Sequence, residues 1–254
     1  MLLQERKIEL KSDREIGIMR RSGQIVAGIL QALREEARPG ITTLDLDAMA
    51  ERLTLKAGAK PAFKNYRGYR HAICASVNEQ VVHGVPTKKP LRDGDIIGID
   101  FGVILDGFYG DSAVTIPVGR ISEEAEALLK VGAEALRCGI AKATPAHRLN
   151  DIGAAVQQCA ESHGYSVVRE MVGHGIGRAL HEEPQVPNYG KADTGLRLKA
   201  GMVLAIEPMI NAGAKEIRTL DDEWTVVTCD GSLSVHFEHT IAITDNGPEI
   251  LTRH

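Results

Sequence analysis

Apolar residues recur at helical spacing through the first sixty positions, give way to runs of β-branched residues, and then repeat that order in the second half. Ser12 and Glu15 have the spacing of a capping box, and Ile16, Met19, Ile25, Ile29 and Leu33 fall on one helical face until Pro39-Gly40. Thr42 can cap a second helix carrying Leu44, Leu46, Met49 and Leu53, which stops at Gly58. Strands are predicted at His71 to Val77, Asp95 to Val103 and Phe108 to Val118. Ser122 opens a third helix with Ala125, Leu128, Leu129 and Leu136. Pro145 suits the first turn of a fourth, running towards His163 and ending at Gly164. Further strands are predicted at Tyr165 to Met171, Met202 to Glu207, Trp224 to Thr228 and Ser234 to Thr244. Two helices then strands, twice, predict a single α+β domain of two related halves, about 12–119 and 120–247, with Arg120 to Glu124 as the seam.

Acidic residues interrupt these strands where apolar ones are expected. Asp100 stands in the middle of the run from Asp95 to Val103, and Asp111 in the next run. Between them, Asp106-Gly107 is a two-residue hairpin signal. That turn would place Asp111 opposite Gly102 and Asp100 two positions along, so both carboxylates share a face as diagonal neighbours. Two like charges so placed among apolar residues cost several kcal/mol unless protonated or bound to a cation. The plainer alternative is one aspartate capping the hairpin and the other solvated. The second half adds Glu207 at the end of an apolar strand, Glu238 within another, and His174 in Gly173-His-Gly-Ile-Gly177, where glycines let backbone approach closely. Each alone has an ordinary structural explanation. Together, four carboxylates and one imidazole suit two divalent ions of manganese, iron, cobalt or zinc, and lack the thiolates of a structural zinc site. A metal pair of that kind activates water and polarises carbonyls, which is hydrolytic chemistry.

Composition removes other classes. The chain has 254 residues, 43% of them hydrophobic, with 34 acidic and 30 basic side chains and a formal charge of −4. This is globular composition, and its near-balanced charge excludes bulk electrostatic binding to nucleic acid or acidic lipid as the main activity. No apolar run approaches the roughly 20 residues needed to cross a bilayer. Met1-Leu-Leu-Gln-Glu-Arg-Lys7 has no hydrophobic leader, and Cys74, Cys138, Cys159 and Cys229 form no Cys-x-x-Cys pair. Free thiols and a cytoplasmic location are expected. The dinucleotide fingerprint fails because Arg178 stands where its last glycine belongs, and neither a Walker sequence, His-Glu-x-x-His nor Gly-x-Ser-x-Gly occurs.

Asp100-Phe-Gly, Gly110-Asp111-Ser-Ala, Gly173-His174-Gly-Ile-Gly, Ile206-Glu207-Pro-Met and Phe237-Glu238-His-Thr occur in the order seen in methionine aminopeptidases. The chain resembles their short bacterial type I form from about Glu15 to Leu251. That resemblance implies the pita-bread fold, with two pseudo-symmetric halves of helices packed on antiparallel sheet. It also implies a dinuclear centre held by Asp100, Asp111, His174, Glu207 and Glu238, with Asp111 and Glu238 touching both ions. Asn78-Glu-Gln-Val-Val-His83 resembles the segment whose histidine lies near the scissile amide. Leu180-His181-Glu-Glu-Pro resembles the one whose histidine donates to the substrate carbonyl. Glu207, beside the bridging water, is the implied proton shuttle.

The resemblance further places Tyr66, Tyr69, Cys74 and Trp224 around an apolar slot for a thioether side chain. Phe63, where some relatives have cysteine, and Leu180, where phenylalanine is common, reshape it. Asn78 and Ser234 match positions that hold a monovalent cation. The implied activity is removal of N-terminal methionine from nascent polypeptides with a small second residue, by attack of a metal-bound hydroxide. The implied partners are nascent N-termini, with ribosome docking left open, a monomeric chain, and neither nucleic acid nor membrane. Three alternatives stand beside it: a proline-specific peptidase of the same fold, which usually carries an added N-terminal domain; a non-catalytic binding module, which would generally lose ligands; and a phosphoryl-transfer enzyme, for which no phosphate-cradling motif is present.

Overall fold

The computed structural model describes residues 8–253, so the opening Met1 to Lys7 segment, where no leader was read, lies outside the described residues. Helix α1 (Asp13–Glu36) begins at the expected capping box: Ser12 Oγ accepts the Glu15 N–H, and the Glu15 carboxylate accepts the Ser12 N–H. Helix α2 (Thr43–Lys56) repeats the device with Thr42 and Asp45. After them come β1 (Lys60–Pro61), β2 (Ile73–Val77), β3 (Gln80–Val82), β4 (Ile96–Leu105) and β5 (Phe108–Pro117). The second half runs α3 (Glu123–Ile140), α4 (Leu149–Ser162), β6 (Ser166–Val167), β7 (Gly173–Gly175), β8 (Glu182–Val186), β9 (Val203–Ile206), β10 (Met209–Asn211), β11 (Ile217–Thr219), β12 (Val226–Thr228), β13 (Ser234–His236), β14 (His239–Thr244) and β15 (Gly247–Ile250).

Strand β4 pairs antiparallel with β1, β2 and β5, and β9 lies between β14 and β7 in the order β15-β14-β9-β7-β8. Two short sheets, β13-β10-β6 and β11-β12-β3, connect these larger ones. Buried side chains of α1 and α2 pack on β2, β4 and β5 through Val26, Leu33, Leu46, Ile99 and Phe101. A second core joins α3 and α4 to β9, β10, β13 and β14 through Leu128, Ile152, Leu204, Ile206 and Ile241. Each helix pair thus covers the apolar face of its own sheet, as the periodicity of the helices demands.

Several boundaries differ from those predicted. Pro145 lies in a turn, and α4 starts only at Leu149, where the Asp151 carboxylate accepts the Arg148 N–H at 2.7 Å and the Leu149 N–H donates to Leu196 O at 2.9 Å. The strand predicted over Tyr165 to Met171 shortens to β6, because its partner β10 begins only after Pro208, which has no N–H to offer a ladder. The run from Ser234 to Thr244 is two strands. At the break, the Phe237 N–H donates to Pro208 O at 3.3 Å and the Glu238 N–H crosses to Ala113 O at 2.8 Å. Gly173 to Gly175 is itself a strand, pressed between β8 and β9.

Candidate metal centre

The Asp106-Gly107 turn closes the β4–β5 hairpin as expected, with both residues at positive φ, 51° and 79°. Leu105 pairs with Phe108, Gly102 with Asp111 and Asp100 with Ala113. The two aspartates therefore lie on one face of the sheet. The β13–β14 segment is stitched onto β5 by hydrogen bonds from small hydroxyl side chains. Thr240 Oγ1 donates to Asp111 O at 2.7 Å, Ser112 Oγ to Glu238 O at 2.6 Å and Thr115 Oγ1 to His236 O at 2.9 Å. This seam carries Glu238 to the aspartates from 127 positions beyond Asp111 in the chain.

His174 arrives on β7. A Cβ on Gly173 would overlap the Ala205 carbonyl, and one on Gly175 the Glu183 carbonyl, so glycine on both sides lets the strand fit between its neighbours. Its Nδ1–H donates to Gly175 O at 2.9 Å, which leaves Nε2 with a free lone pair, the usual arrangement for a metal-ligating imidazole. Ligand atoms of Asp111, His174 and Glu238 lie within 4.8 Å of one another, all three residues buried. Glu207, just past β9, brings Oε1 to 3.5 Å from His174 Nε2. Asp100, Asp111, His174, Glu207 and Glu238 all line one cavity of about 180 Å³.

Buried carboxylate oxygens normally find a donor, because burial without one costs several kcal/mol. Here Asp100 Oδ1, Asp111 Oδ1 and Glu238 Oε1 are buried without a hydrogen-bond partner. Burial raises Asp100, Glu207 and Glu238 well above the carboxylate range, the neighbouring carboxylates adding to the shift. It raises Asp111 to about 7, partly offset by the Ser112 N–H. The histidines move the other way. Burial lowers His174 to about 3, with His181 adding to the effect, and lowers His181 to about 4, with Arg67 and His83 adding. His83 is lowered by burial alone. Carboxyls pushed up and imidazoles pushed down by burial form a donor set suited to divalent cations: hard oxygens, one nitrogen and no thiolate.

His83, His181 and the apolar residues selected from the sequence reach the same cavity, whereas Asn78 and Ser234 do not line it. His83 follows β3 with φ at 58°, a left-handed conformation seldom adopted by a residue with a Cβ and concentrated at functional positions. His181 Nδ1 is 2.7 Å from the Tyr66 hydroxyl, and its ring centroid is 4.3 Å from that of His174. Phe63, Tyr66, Tyr69, Cys74, Leu180 and Trp224 line the wall, with Tyr69 edge-on to Trp224 at 5.0 Å. The Tyr69 hydroxyl donates to Ile73 O at 2.9 Å, so this tyrosine turns its ring to the cavity and its oxygen to the backbone. Asn78 and Ser234 also meet, the Ser234 N–H donating to Asn78 O at 3.0 Å. The Asn78 side chain is occupied by Asp95 and the Ile96 N–H.

Two residues escaped the sequence reading. His236 brings Nε2 to 3.4 Å from Glu207 Oε2, and its spacing of two from Glu238 was the available signal. Arg67 stands in the cavity wall over the Tyr66 ring. Cys74, Cys138, Cys159 and Cys229 are free thiols, as expected. No helix among the described residues is long and apolar enough to cross a membrane.

The sequence profile of metallopeptidase family M24 matches residues 17–245. The chain belongs to that family, and its pita-bread fold is the family's. Within it, the chain is 55% identical to methionine aminopeptidase 1 of Bacillus subtilis over 96% of its own length and 98% of that protein's. Its backbone matches the crystal structure of a methionine aminopeptidase from Thermotoga maritima with a TM-score of 0.96 and 46% identity, covering 98% of this chain and 100% of that one. A prolidase from Pyrococcus furiosus gives a TM-score of 0.77 and 25% identity, and the match covers 96% of this chain but 65% of the prolidase.

Proposed function

We propose that the chain is a metal-dependent aminopeptidase that removes N-terminal methionine from nascent polypeptides and favours a small second residue. The observation that carries this reading is the convergence of Asp100, Asp111, His174, Glu207 and Glu238 on one cavity, with partnerless buried oxygens among them. These five would hold two divalent ions. When bound, such a pair supplies Lewis acidity, activating water and polarising the scissile carbonyl.

The chain's own residues do the rest. Asp111 and Glu238 would meet the cations as carboxylates. Glu207 carries a proton from the attacking water towards the departing amine. With the Tyr66 O–H donating to His181 Nδ1, His181 Nε2 carries a hydrogen aimed at the developing oxyanion. His83, which lines the same cavity, would contact the scissile amide. Phe63, Tyr69, Cys74, Leu180 and Trp224 form the slot for the methionine side chain, whose sulfur packs well against aromatic edges. We read the chain as one domain of two related halves, acting as a cytoplasmic monomer on emerging polypeptide N-termini. A monovalent cation near Asn78 and Ser234 would be held by backbone carbonyls.

The proline-specific alternative is disfavoured by likeness, since the chain is 55% identical to the Bacillus subtilis methionine aminopeptidase and 25% identical to the prolidase. Hydrolysis of Met-Ala-Ser and of an Xaa-Pro peptide by the metal-loaded protein decides between them. Cleavage of the first alone supports the proposal; cleavage of the second alone overturns it.

A further inference from the structure

Glu182 directly follows His181, and its carboxylate is fully engaged inside the protein. Oε1 accepts the N–H groups of Arg178 at 2.7 Å and Ala179 at 3.1 Å. Oε2 is paired with the ammonium of Lys11, a residue from the arm that precedes α1. The Lys11 side chain is 4% exposed and that of Glu182 15%. Lys11 is buried and Glu182 partly so, and removing one partner of such a pair leaves the other without compensation.

The arm is itself fixed. The Lys11 N–H donates to Gly201 O at 2.7 Å, and Nζ donates to Glu9 O at 3.2 Å. Gly177 leaves the room that the lysine needs. A Cβ there would overlap Lys11 Cε and lie 2.7 Å from both Lys11 Nζ and Glu182 Oε1. The third glycine of Gly173-His-Gly-Ile-Gly177 therefore serves the ion pair, whereas the first two serve the strand that carries His174.

We infer that Lys11 and Glu182 are positioning residues that lock the loop from Gly177 to Glu182 so that Leu180 and His181 face the cavity. The N-terminal arm then acts on the reaction from outside the site. It sets where His181 stands relative to the substrate carbonyl, without touching substrate or metal. This rests on the role proposed above for His181.

The test uses Lys11→Met and Glu182→Gln in the metal-loaded, full-length protein, each alone and combined with His181→Ala. Displacing a catalytic group by about 1 Å costs on the order of 10²-fold, so each single variant is expected to lose at least about 10-fold in kcat on Met-Ala-Ser. Bound metal should stay unchanged. In the His181→Ala background the same substitutions should cost less than about 2-fold, because groups acting as a unit are not additive. The amide protons of Arg178 and Ala179 should exchange faster in Lys11→Met, a readout independent of turnover.

Equal losses in both backgrounds would show a general structural role and overturn the inference, as would an unchanged kcat. If His181→Ala alone leaves kcat intact, the reading of His181 fails and takes the inference with it. If His181→Ala lowers kcat and Glu182→Gln does not, only the inference fails. Glu182→Gln keeps an oxygen acceptor for Arg178 and Ala179, so it decides the matter even where Lys11→Met does not fold.

Discussion

At the scale of single residues, the site is defined by groups that the protein alone leaves unsatisfied. Asp111 and Glu238 are buried, and each has an oxygen without a donor. Replacing either with alanine is expected to abolish metal binding and turnover together, measured by elemental analysis and Met-Ala-Ser hydrolysis. Near-normal activity in either variant contradicts their assignment. His181→Ala differs in kind: kcat should fall roughly 10²-fold with metal content unchanged, as for loss of an oxyanion donor. Lost metal in that variant would make it a ligand instead.

The same groups set a pH dependence of stability. The imidazoles of His174, His181 and His236 have folded values lowered from 6.5 to about 3, 4 and 3. Their contribution is present above the unfolded value of 6.5 and is lost as pH falls. The four carboxylates are raised, Asp111 from 3.8 to about 7, so their contribution is present at low pH and is lost as pH rises. Between about 4 and 6.5 the two sets oppose each other. Above 6.5 the carboxylates act alone, and each retained proton lowers stability by up to about 1.4 kcal/mol per pH unit. The thermal midpoint of chelator-treated protein should therefore fall between pH 6.5 and 8, and bound divalent ions should remove that fall. A midpoint that rises over this interval in metal-free protein contradicts the account.

At the scale of elements, what was legible followed from local chemistry. A capping box at Ser12 and a cap at Thr42 announced α1 and α2, and Asp106-Gly107 fixed the register that puts Asp100 and Asp111 on one face. What was not legible depended on distant partners. No local signal says that Leu149 waits for Leu196, that Glu238 leaves its strand for Ala113, or that Thr115, Ser112 and Thr240 form the seam between β5 and the β13–β14 segment. Gly173 to Gly175 fell in none of the predicted strands, yet it is a strand whose missing side chains make room for two neighbouring carbonyls. Gly175→Ala should therefore destabilise the fold by about 1–3 kcal/mol, the usual cost of overpacking, and weaken metal binding through His174. Denaturant unfolding and a metal titration check both, and an unchanged midpoint would mean that β7 has slack.

At the scale of the whole molecule, the two helix-covered sheets meet along one seam, and the cavity opens there. The ligands come from β4 and β5 on one side and from β7, β9 and the β13–β14 break on the other, so neither half alone holds the set. The aromatic wall draws on more distant segments still, with Tyr69 and Trp224 in contact across 155 positions of chain. Their place in the slot came from family resemblance, because nothing in local periodicity separates a pocket tryptophan from a core one. Trp224→Ala should weaken the preference for Met-Ala over Leu-Ala peptides, seen as a smaller ratio of kcat/KM values. An unaltered ratio would remove this residue from the slot.

The central claim is that five dispersed side chains assemble a two-metal hydrolytic centre. Its most direct test is to strip the protein with chelator, titrate it with manganese, iron, cobalt or zinc, and follow bound metal and Met-Ala-Ser hydrolysis in the same samples. The account predicts no turnover without metal, recovery with at least one of these ions, and saturation at two ions per chain that is lost in Asp111→Ala and Glu238→Ala. Full hydrolysis by the stripped protein, or unchanged metal binding in those variants, would contradict it.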